Sequence, residues 1–223
     1  MWTQSINLRK ITDLKNQRQT DQLVIEKQTN VYLNNDFIIE LTHTPQFEKE
    51  LVLGYLIVTG KIGFDYSSIK VEENNVYVEA PKRTCLPIKN ECIKKPDKHI
   101  VFEITAYFQQ AAVLFKKTAI TESAAFSSEN NLLFNSEDLT QDTAFYKLVG
   151  RYVMQSSELS FNELTLLISA KLDLVLIKKV SLLGIAMVIS RTAPTKQALD
   201  YAANHNISVV GFARGRRYNW YTT

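Results

Sequence analysis

The carboxyl-terminal tail carries the residues whose types and spacing best suit ligand chemistry. Segment Ser190–Thr195 places three hydroxyl side chains before a predicted helix, and segment Phe212–Arg217 places three arginines around Gly215. Free N–H groups at a helix N-terminus favour anions, and guanidinium groups fit phosphate oxygens two at a time. Glycine allows a backbone to approach a ligand closely. The tail therefore predicts an anion site, most often one for phosphate.

A simpler interpretation of the same residues stays open at this point. Hydroxyl side chains at Ser190, Thr192 and Thr195 are also what a helix N-terminus needs as caps. The arginines could be solvated, although a loop after a buried strand does not need arginines in order to fold. Residue types alone do not decide between an anion site and ordinary capping.

The elements expected to position the tail alternate between strands and helices. We predict strands over 174–177, 185–189 and 207–211, a helix over 194–204 and an edge strand over 218–221. Alternation of this kind favours a mainly parallel α/β sheet, and ligands collect at the carboxyl ends of parallel strands. Both tail segments are therefore expected at one edge. Before them, a capping box at Ser160–Glu163 predicts an apolar helix to about Leu172.

The amino-terminal part predicts a smaller α+β unit. Residues 1–30 are polar and indicate an arm or an edge strand, with Leu23–Ile25 as its ordered part. Turn residues at 34–36 and 74–75 predict two hairpins. Thr44 and Pro45 predict the cap and first turn of a helix that ends at Gly60. We place a domain boundary so that residues 1–99 form this unit and residues 100–223 form the α/β domain. In the α/β domain we further predict helices near 104–115 and 138–154, with strands over 124–127 and 132–134 between them.

Composition limits the functional classes. The 223 residues are 45% hydrophobic and 22% charged, which is typical of a globular protein. The net charge of +3 is too small to indicate nucleic acid or a membrane surface. No apolar run long enough for a membrane span and no signal peptide are visible. Two cysteines do not make a disulfide framework, so a cytoplasmic protein with free thiols is expected.

Both cysteines lie in a Pro- and Lys-rich segment, residues 80–99. Cys85 follows Lys82 and Arg83, and Cys92 precedes two lysines, so positive charge near both sulfurs favours the thiolate. A thiolate on an accessible, moving segment is what sulfur transfer between two partners requires. Two incidental surface cysteines are the alternative. A zinc site is not expected, because Cys-x-x-Cys and His-x-Glu motifs are absent.

The chain resembles the formate dehydrogenase accessory proteins of the FdhD/NarQ family. The similarity runs from about residue 31, and its most specific part is Ser190–Thr222. Residues 35–62 resemble the early strand–helix segment of the family, and Leu114–Thr118 resembles the lead into its Thr-Gly-Gly turn. Glu137–Gly150 is similar to its Glu-Asp-Val-Gly-Arg-His-Asn segment, and Ser156–Glu163 to its Ser-Gly-Arg-Ile-Ser helix entry.

The resemblance implies a fold, an activity and partners. The fold would be a three-layer, cytidine-deaminase-like C-terminal domain with a mainly parallel mixed sheet, beside the smaller α+β N-terminal subdomain. The activity would be sulfur transfer from a cysteine desulfurase to the molybdenum cofactor of formate dehydrogenase or a related molybdoenzyme, with Cys85 carrying the persulfide and Cys92 assisting. The bound client would be molybdenum bis(molybdopterin guanine dinucleotide), with a GDP-like nucleotide as a further ligand and no metal of the chain's own. Nucleic acid and membrane are not expected, and a homodimer is one option. The implied cofactor-binding residues are Phe212, Ala213, Arg214, Gly215, Arg216, Arg217, Ser190, Thr192, Thr195 and Thr118.

The chain departs from the family pattern at four places. Thr118-Ala119-Ile120 stands for Thr-Gly-Gly, and Glu122 stands at the following histidine. Thr140–Thr143 replaces Gly-Arg-His-Asn, and Ser156–Glu158 replaces Ser-Gly-Arg. Six residues separate Cys85 from Cys92, where the family has Cys-x-x-Cys. Two alternatives therefore stand beside the sulfurtransferase: a cofactor-binding chaperone without transfer chemistry, and a scaffold whose pocket is vestigial.

Overall fold

A computed structural model describes residues 2–83, 85–155 and 159–222 of the chain. Its strands are β1 (Thr3–Thr12), β2 (Lys15–Val24), β3 (Lys27–Leu33), β4 (Asp36–His43), β5 (Ser68–Glu72), β6 (Asn75–Glu79), β7 (Glu122–Ser128), β8 (Asn131–Asp138), β9 (Thr165–Ile168), β10 (Met187–Ser190), β11 (Ser208–Arg214) and β12 (Arg217–Trp220). Its helices are α1 (Glu48–Val58), α2 (Lys98–Ala111), α3 (Val113–Thr118), α4 (Gln141–Met154), α5 (Leu174–Leu183) and α6 (Lys196–Asn204), with a 3₁₀ turn at Phe161–Glu163.

The larger sheet has six strands in the order β12-β11-β10-β9-β7-β8. Only the β9–β10 and β10–β11 pairs are parallel, while the other three pairs are antiparallel. The sheet is mixed, as predicted, but the expectation that it would be mainly parallel was wrong. The reason is connection length: helices α5 and α6 make the two parallel crossovers, whereas short turns join β7 to β8 and β11 to β12 and so force antiparallel pairing.

Helices cover both faces of this sheet, which gives three layers. Successive strand residues point to opposite faces, and Leu166 and Val188 lie in the main core with α4, α5 and α6. Their neighbours Leu167 and Met187 lie in a second core with Val101 of α2. The long helix α2 therefore runs along the face opposite α4, α5 and α6, and its two ends mark the two edges of the sheet.

A four-stranded sheet, order β4-β3-β6-β5, and a two-stranded ribbon, β1-β2, make up the amino-terminal part. Both predicted hairpins are present. The arm or edge strand predicted for residues 1–30 is instead two ten-residue strands that pair with each other along their whole length. Few apolar residues mark this ribbon in the sequence, because both of its faces are mostly exposed.

Helices α1 and α4 cross at Gly54 and Gly150 and join the two parts. A Cβ on Gly54 would lie 1.8 Å from the carbonyl oxygen of Tyr146, and one on Gly150 would lie 1.8 Å from that of Glu50. Only glycine fits at either point. The main apolar core extends from Val31 in β3 to Val209 in β11, across residue 99. The boundary of domains 1–99 and 100–223 stays a prediction.

Three local predictions were wrong. Leu174–Leu183 is a helix rather than a strand beginning at 174, and Asp173 caps it. The Ser160 capping box closes a single 3₁₀ turn, after which Thr165–Ile168 forms a fully buried strand. A short continuous apolar run fits either a buried strand or a buried helix, so periodicity could not separate them. Thr44 does not cap α1, whose N-cap is Phe47 with a positive φ.

No helix among the described residues is long and apolar enough to cross a membrane.

Candidate functional site

The two tail segments meet at the carboxyl edge of the larger sheet, as their spacing predicted. Ser190–Thr195 begins at the end of β10, and Phe212–Arg217 covers the end of β11 and the turn into β12. Strands β10 and β11 run parallel. The Phe212 amide donates to the Thr192 carbonyl at 3.1 Å, and Arg214 Nε donates to the Arg191 carbonyl at 3.0 Å. A Cβ on Gly211 would lie 2.8 Å from the Thr192 carbonyl oxygen, so this glycine permits the close approach of the two segments.

The three predicted hydroxyls make contacts within the fold. The Ser190 and Thr192 hydroxyls both donate to the Ala170 carbonyl, at 2.8 Å and 3.0 Å. Thr195 caps α6 by accepting a hydrogen bond from the Ala198 amide at 3.2 Å. Thr195 therefore caps α6 as the capping interpretation expects, whereas the Ser190 and Thr192 hydroxyls hold the Ala170 carbonyl instead of capping the helix.

The segment Phe212–Arg217 is the tip of a β-hairpin rather than a loop. Arg214 pairs with Arg217, and Gly215, at φ +58°, turns the chain between them. Ala213 is buried against α2, while Phe212 is 42% exposed at φ +53° on a bulge. The six predicted residues therefore face different directions, since side chains alternate along the strand.

A pocket of about 220 Å³ opens at this edge, and Arg191 and Arg214 line it. The Nε atom of Arg191 is buried without a hydrogen-bond partner. Glu122, Ser123 and Ser169 line the same pocket, and the Ser169 hydroxyl donates to Glu122. An unsatisfied guanidinium N–H in a pocket with a second arginine is suited to an anion. The Glu122 carboxylate reduces the positive charge there.

Arg191 is the functional candidate that sequence reasoning missed. It lies inside Ser190–Thr195, a segment whose three hydroxyl side chains suggest capping instead. The signal was a cation directly after a predicted buried strand, on the edge already expected to bind an anion.

Thr118 ends α3 and donates to the Leu114 carbonyl at 2.9 Å, a bond within its own helix. Glu137 holds the start of this helix by accepting from the Leu114 and Phe115 amides, each at 2.8 Å. Phe115 lines the small pocket. Helix α3 therefore shapes one wall of the pocket, and Ala119 follows it at φ +56° where the family pattern has glycine.

The amino edge of the sheet opens into a much larger cavity of about 1290 Å³. Met187 at the start of β10 and Thr165 at the start of β9 lie in its wall, together with Val101 of α2. Cys92 lines this cavity and is exposed. The wall is electrically mixed: it contains Lys89, Lys94, Lys95, Glu91, Asp97, Glu129 and Glu163.

Cys85 lies elsewhere and is only partly accessible. Its Sγ donates to the Ile62 carbonyl at 3.3 Å, and it is not among the residues lining either site. The cations before it are engaged: Lys82 pairs with Asp36 at 2.9 Å, and Arg83 with Asp65 at 3.3 Å. The structure thus gives the two predicted cysteines different surroundings.

Contacts to the α/β domain fix the chain between the two cysteines. The Ile88 amide donates to the Ser181 carbonyl at 2.8 Å, and the Asn90 amide donates to the His205 carbonyl at 3.0 Å. Asn206 Nδ2 donates to the Asn90 carbonyl at 2.6 Å. These bonds place Cys92 at the mouth of the cavity.

A buried ion pair joins the amino-terminal part to the larger sheet. Lys147 Nζ lies 2.6 Å from Asp138 Oδ2, with 1% and 0% of the side chains exposed. The lysine also donates to the Thr44 carbonyl at 2.8 Å, and the Thr44 amide donates to Asp138 at 2.7 Å. Burial lowers the pKa of Lys147, an effect that Asp138 opposes. Burial and then the charge of Lys147 lower the pKa of neighbouring His43.

Thr140–Thr143 forms the capped start of α4, with Thr140 and Thr143 exchanging capping bonds. The other altered segment, Ser156–Glu158, lies outside the described residues. Among the residues that the structure describes, no three or more His, Cys, Asp or Glu side chains group to hold a metal ion.

Comparison with known proteins identifies the family. The sequence model described as the FdhD/NarQ family matches residues 86–223. Protein FdhD from Methanocaldococcus jannaschii is 26% identical over 91% of this chain and 89% of its own length. Sulfur carrier protein FdhD from Bacillus subtilis is 26% identical over 91% of this chain and 88% of its own length.

A crystal structure of a formate dehydrogenase accessory protein from Desulfotalea psychrophila shares the fold. It has a TM-score of 0.86 at 18% identity, and covers 100% of this chain and 98% of its own. The fold agreement extends to the amino-terminal part that the family match does not reach. On the strength of the match to 86–223, the chain belongs to the FdhD/NarQ family.

Proposed function

We propose that this protein is a sulfur carrier that serves a formate dehydrogenase or a related molybdoenzyme. It would accept sulfur from a cysteine desulfurase and deliver it to the molybdenum cofactor. Family membership supports the class of function, since relatives are named sulfur carrier protein FdhD. The observation that carries the proposal is the exposed Cys92 on the 1290 Å³ cavity.

Cys92 is the better placed thiol for receiving sulfur. A persulfide carried by a desulfurase needs an open approach to the attacking thiolate, and the cavity provides it. The Cys92 thiolate would attack the outer sulfur of the donor persulfide. A new S–S bond forms on Cys92, the donor S–S bond breaks, and the donor cysteine leaves as a thiolate, so no net oxidation occurs. Cys85, with its thiol directed at the Ile62 carbonyl, would then be supporting rather than primary.

The carboxyl edge would hold the anionic part of the client cofactor. Arg191 and Arg214 offer guanidinium groups to a phosphate, and Gly211 keeps the two segments close. Molybdenum bis(molybdopterin guanine dinucleotide) would be the cargo, and a GDP-like nucleotide contains the same phosphate chemistry. Of the expected residues, Arg214 is the one that lines the pocket. Arg191, which was not expected, lines it too, whereas Arg216 and Arg217 lie beyond it at the hairpin tip.

The two sites are separate. Met187 and Ile189 of β10 line the cavity, and Arg191 lines the pocket just past the end of that strand. Two residues of strand span roughly 7 Å. Sulfur received at the amino edge therefore has to move to the carboxyl edge before delivery, unless the client cofactor approaches the amino edge instead.

One observation favours the alternative of a cofactor-binding chaperone without transfer chemistry. Cys85 and Cys92 are separated by six residues and lie in different surroundings, whereas Arg191 and Arg214 still line one pocket. The alternative predicts nucleotide binding without a persulfide.

The test is intact-protein mass spectrometry after incubation with a cysteine desulfurase and cysteine. The wild type should gain one sulfur atom that a reductant removes, Cys92→Ala should gain none, and Cys85→Ala should still gain it. Loss only in Cys85→Ala would reverse the assignment of the two cysteines. If the wild type gains no sulfur, the carrier proposal fails, and a thermal shift with GDP then decides for or against the chaperone.

A further inference from the structure

The segment between the two cysteines rests on the carboxyl ends of two helices, and we call residues 86–92 the strap. The Ile88 amide donates to the Ser181 carbonyl in the last turn of α5, and the Asn90 amide donates to the His205 carbonyl just past α6. The last carbonyls of a helix have no partner within the helix. The strap therefore supplies amide donors to both helix ends, at the amino edge of the sheet into which these helices lead.

Asn206 adds a side-chain clasp to these backbone bonds. Its Nδ2 atom donates to the Asn90 carbonyl at 2.6 Å and to the Glu91 carbonyl at 3.3 Å. Two successive carbonyls can converge on one nitrogen where the chain bends, and the strap bends at Glu91 and Cys92. One amide group therefore holds the two carbonyls that directly precede Cys92.

The end of helix α6 does not by itself require this amide group. Asn206 follows the helix with a left-handed backbone at φ +53°, a conformation that favours glycine and asparagine. Glycine ends a helix at such a position without any side chain. The two bonds of Nδ2 to the strap are what the asparagine side chain adds. The effect of the side chain on the strap can therefore be separated from the effect of the backbone on the helix.

The chain is also anchored on the other side of Cys92. Pro96 is buried, and Asp97 caps α2 by accepting from the His99 and Ile100 amides at 2.8 Å and 2.9 Å. Cys92 therefore lies on a short span that is fixed at both ends. Because its side chain is exposed and lines the cavity, the two anchors set where the thiol sits in the cavity mouth.

We propose that Asn206 is a positioning residue for Cys92, an inference that rests on the proposed function. Through the strap, it holds the thiol where the persulfide of a sulfur donor can be attacked. A misplacement of about 1 Å by a mutation away from the chemistry can lower a rate about a hundredfold. Asn206 acts through backbone carbonyls of the strap. Its contribution should therefore appear in the rate of transfer from a protein donor and not in the reactivity of the thiol itself.

Single-turnover sulfur gain from a persulfide-loaded cysteine desulfurase tests the proposal. Asn206→Gly keeps the left-handed backbone and removes the amide group. The rate at saturating desulfurase should fall about tenfold, while the half-saturating concentration should change less than about twofold. Asn206→Asp keeps the size of the side chain and loses both N–H donors, so its rate should fall at least as far. Alkylation of Cys92 by iodoacetamide, measured by peptide mass mapping, should not slow in either variant.

The matched control is Asn35→Gly, the same substitution at an exposed position of the β3–β4 turn with φ +68°. It should gain sulfur at the wild-type rate, and thermal melts should show that every variant is folded. A wild-type rate for Asn206→Gly overturns the positioning role and leaves the carrier proposal intact. So does an equal loss of alkylation, because Asn206 would then change the reactivity of the thiol. A wild type that gains no sulfur overturns the carrier proposal, and this inference falls with it.

Discussion

The amino edge of the six-stranded sheet opens into a cavity of about 1290 Å³ that reaches Cys92, whereas the carboxyl edge holds a pocket of about 220 Å³ between Arg191 and Arg214. The larger site is lined by charges of both signs around an exposed thiol, which suits a protein partner. The smaller one has an unsatisfied guanidinium N–H, which suits a compact anion. The same strands and the same helix α2 serve both edges. The difference teaches that the two ends of one sheet can differ in size and charge; under the proposed function, one end would receive sulfur and the other would hold an anionic cofactor, so each task would be open to separate loss.

The largest expected effect is a loss of unfolding free energy when the buried ion pair in the core shared by both edges is broken. Lys147→Met leaves Asp138 buried without its ion-pair partner, which should cost about 3–5 kcal/mol of unfolding free energy. Urea denaturation measures this loss, and sulfur gain and nucleotide binding should fail together on warming. Lys171→Met, at an exposed lysine, should change stability by less than about 0.5 kcal/mol. Equal stability of both variants would contradict a structural role for the buried pair.

Replacing the two arginines of the carboxyl edge should weaken anion binding there and leave the amino edge unchanged. Arg191→Ala combined with Arg214→Ala should weaken GDP binding about 10–100-fold, because each guanidinium supplies charge-assisted hydrogen bonds. Isothermal titration calorimetry measures the affinity, and mass spectrometry should show unchanged sulfur gain at Cys92. Arg216→Ala, at the hairpin tip, is the comparison variant and should bind more nearly like the wild type. Loss of sulfur gain in the double variant would mean that the two edges are coupled.

Replacing Glu122 should strengthen GDP binding, an effect smaller than that of the arginines and opposite in direction. Replacement by Gln removes a negative charge from the pocket and keeps an acceptor for the Ser169 hydroxyl. GDP should bind roughly fivefold more tightly, because two unit charges about 4 Å apart in water interact by about 1 kcal/mol. Glu129→Gln, on the amino edge, makes the same chemical change and should not alter the affinity. Weaker binding by Glu122→Gln would show that the carboxylate helps to hold the ligand.

The smallest effect should be at Ala119, which has a left-handed backbone at φ +56°. Ala119→Gly should stabilise the fold by about 0.5–1 kcal/mol, since glycine avoids the penalty of 1–2 kcal/mol but loses more entropy on folding. Thermal denaturation measures the gain, and both edges should keep their activities. A matched test is Ala112→Gly, where φ is −74° and the substitution should destabilise. A lower melting temperature for Ala119→Gly would contradict strain at this turn.

Sequence patterns predicted the elements that carry local signals. Turn residues at Asn34-Asn35 and Asn74-Asn75 found both hairpins, and the carboxyl edge followed from two strands that end in polar segments. The strands that the sequence patterns missed lack an alternation of apolar and polar residues. The run from Thr165 to Ile168 is buried on both faces. The β1-β2 ribbon is mostly exposed on both faces. Arg191 and the cavity at Cys92 depend on distant segments brought together, which spacing along the chain does not reveal.

The crossing of α1 and α4 at Gly54 and Gly150 has a consequence for how the chain unfolds. Both contacts are between backbone atoms of helices almost a hundred residues apart, and the main core continues through them. Neither part can loosen without breaking that crossing. Calorimetry should therefore show one cooperative transition, with equal calorimetric and van't Hoff enthalpies, for a chain whose sequence divides so readily into two.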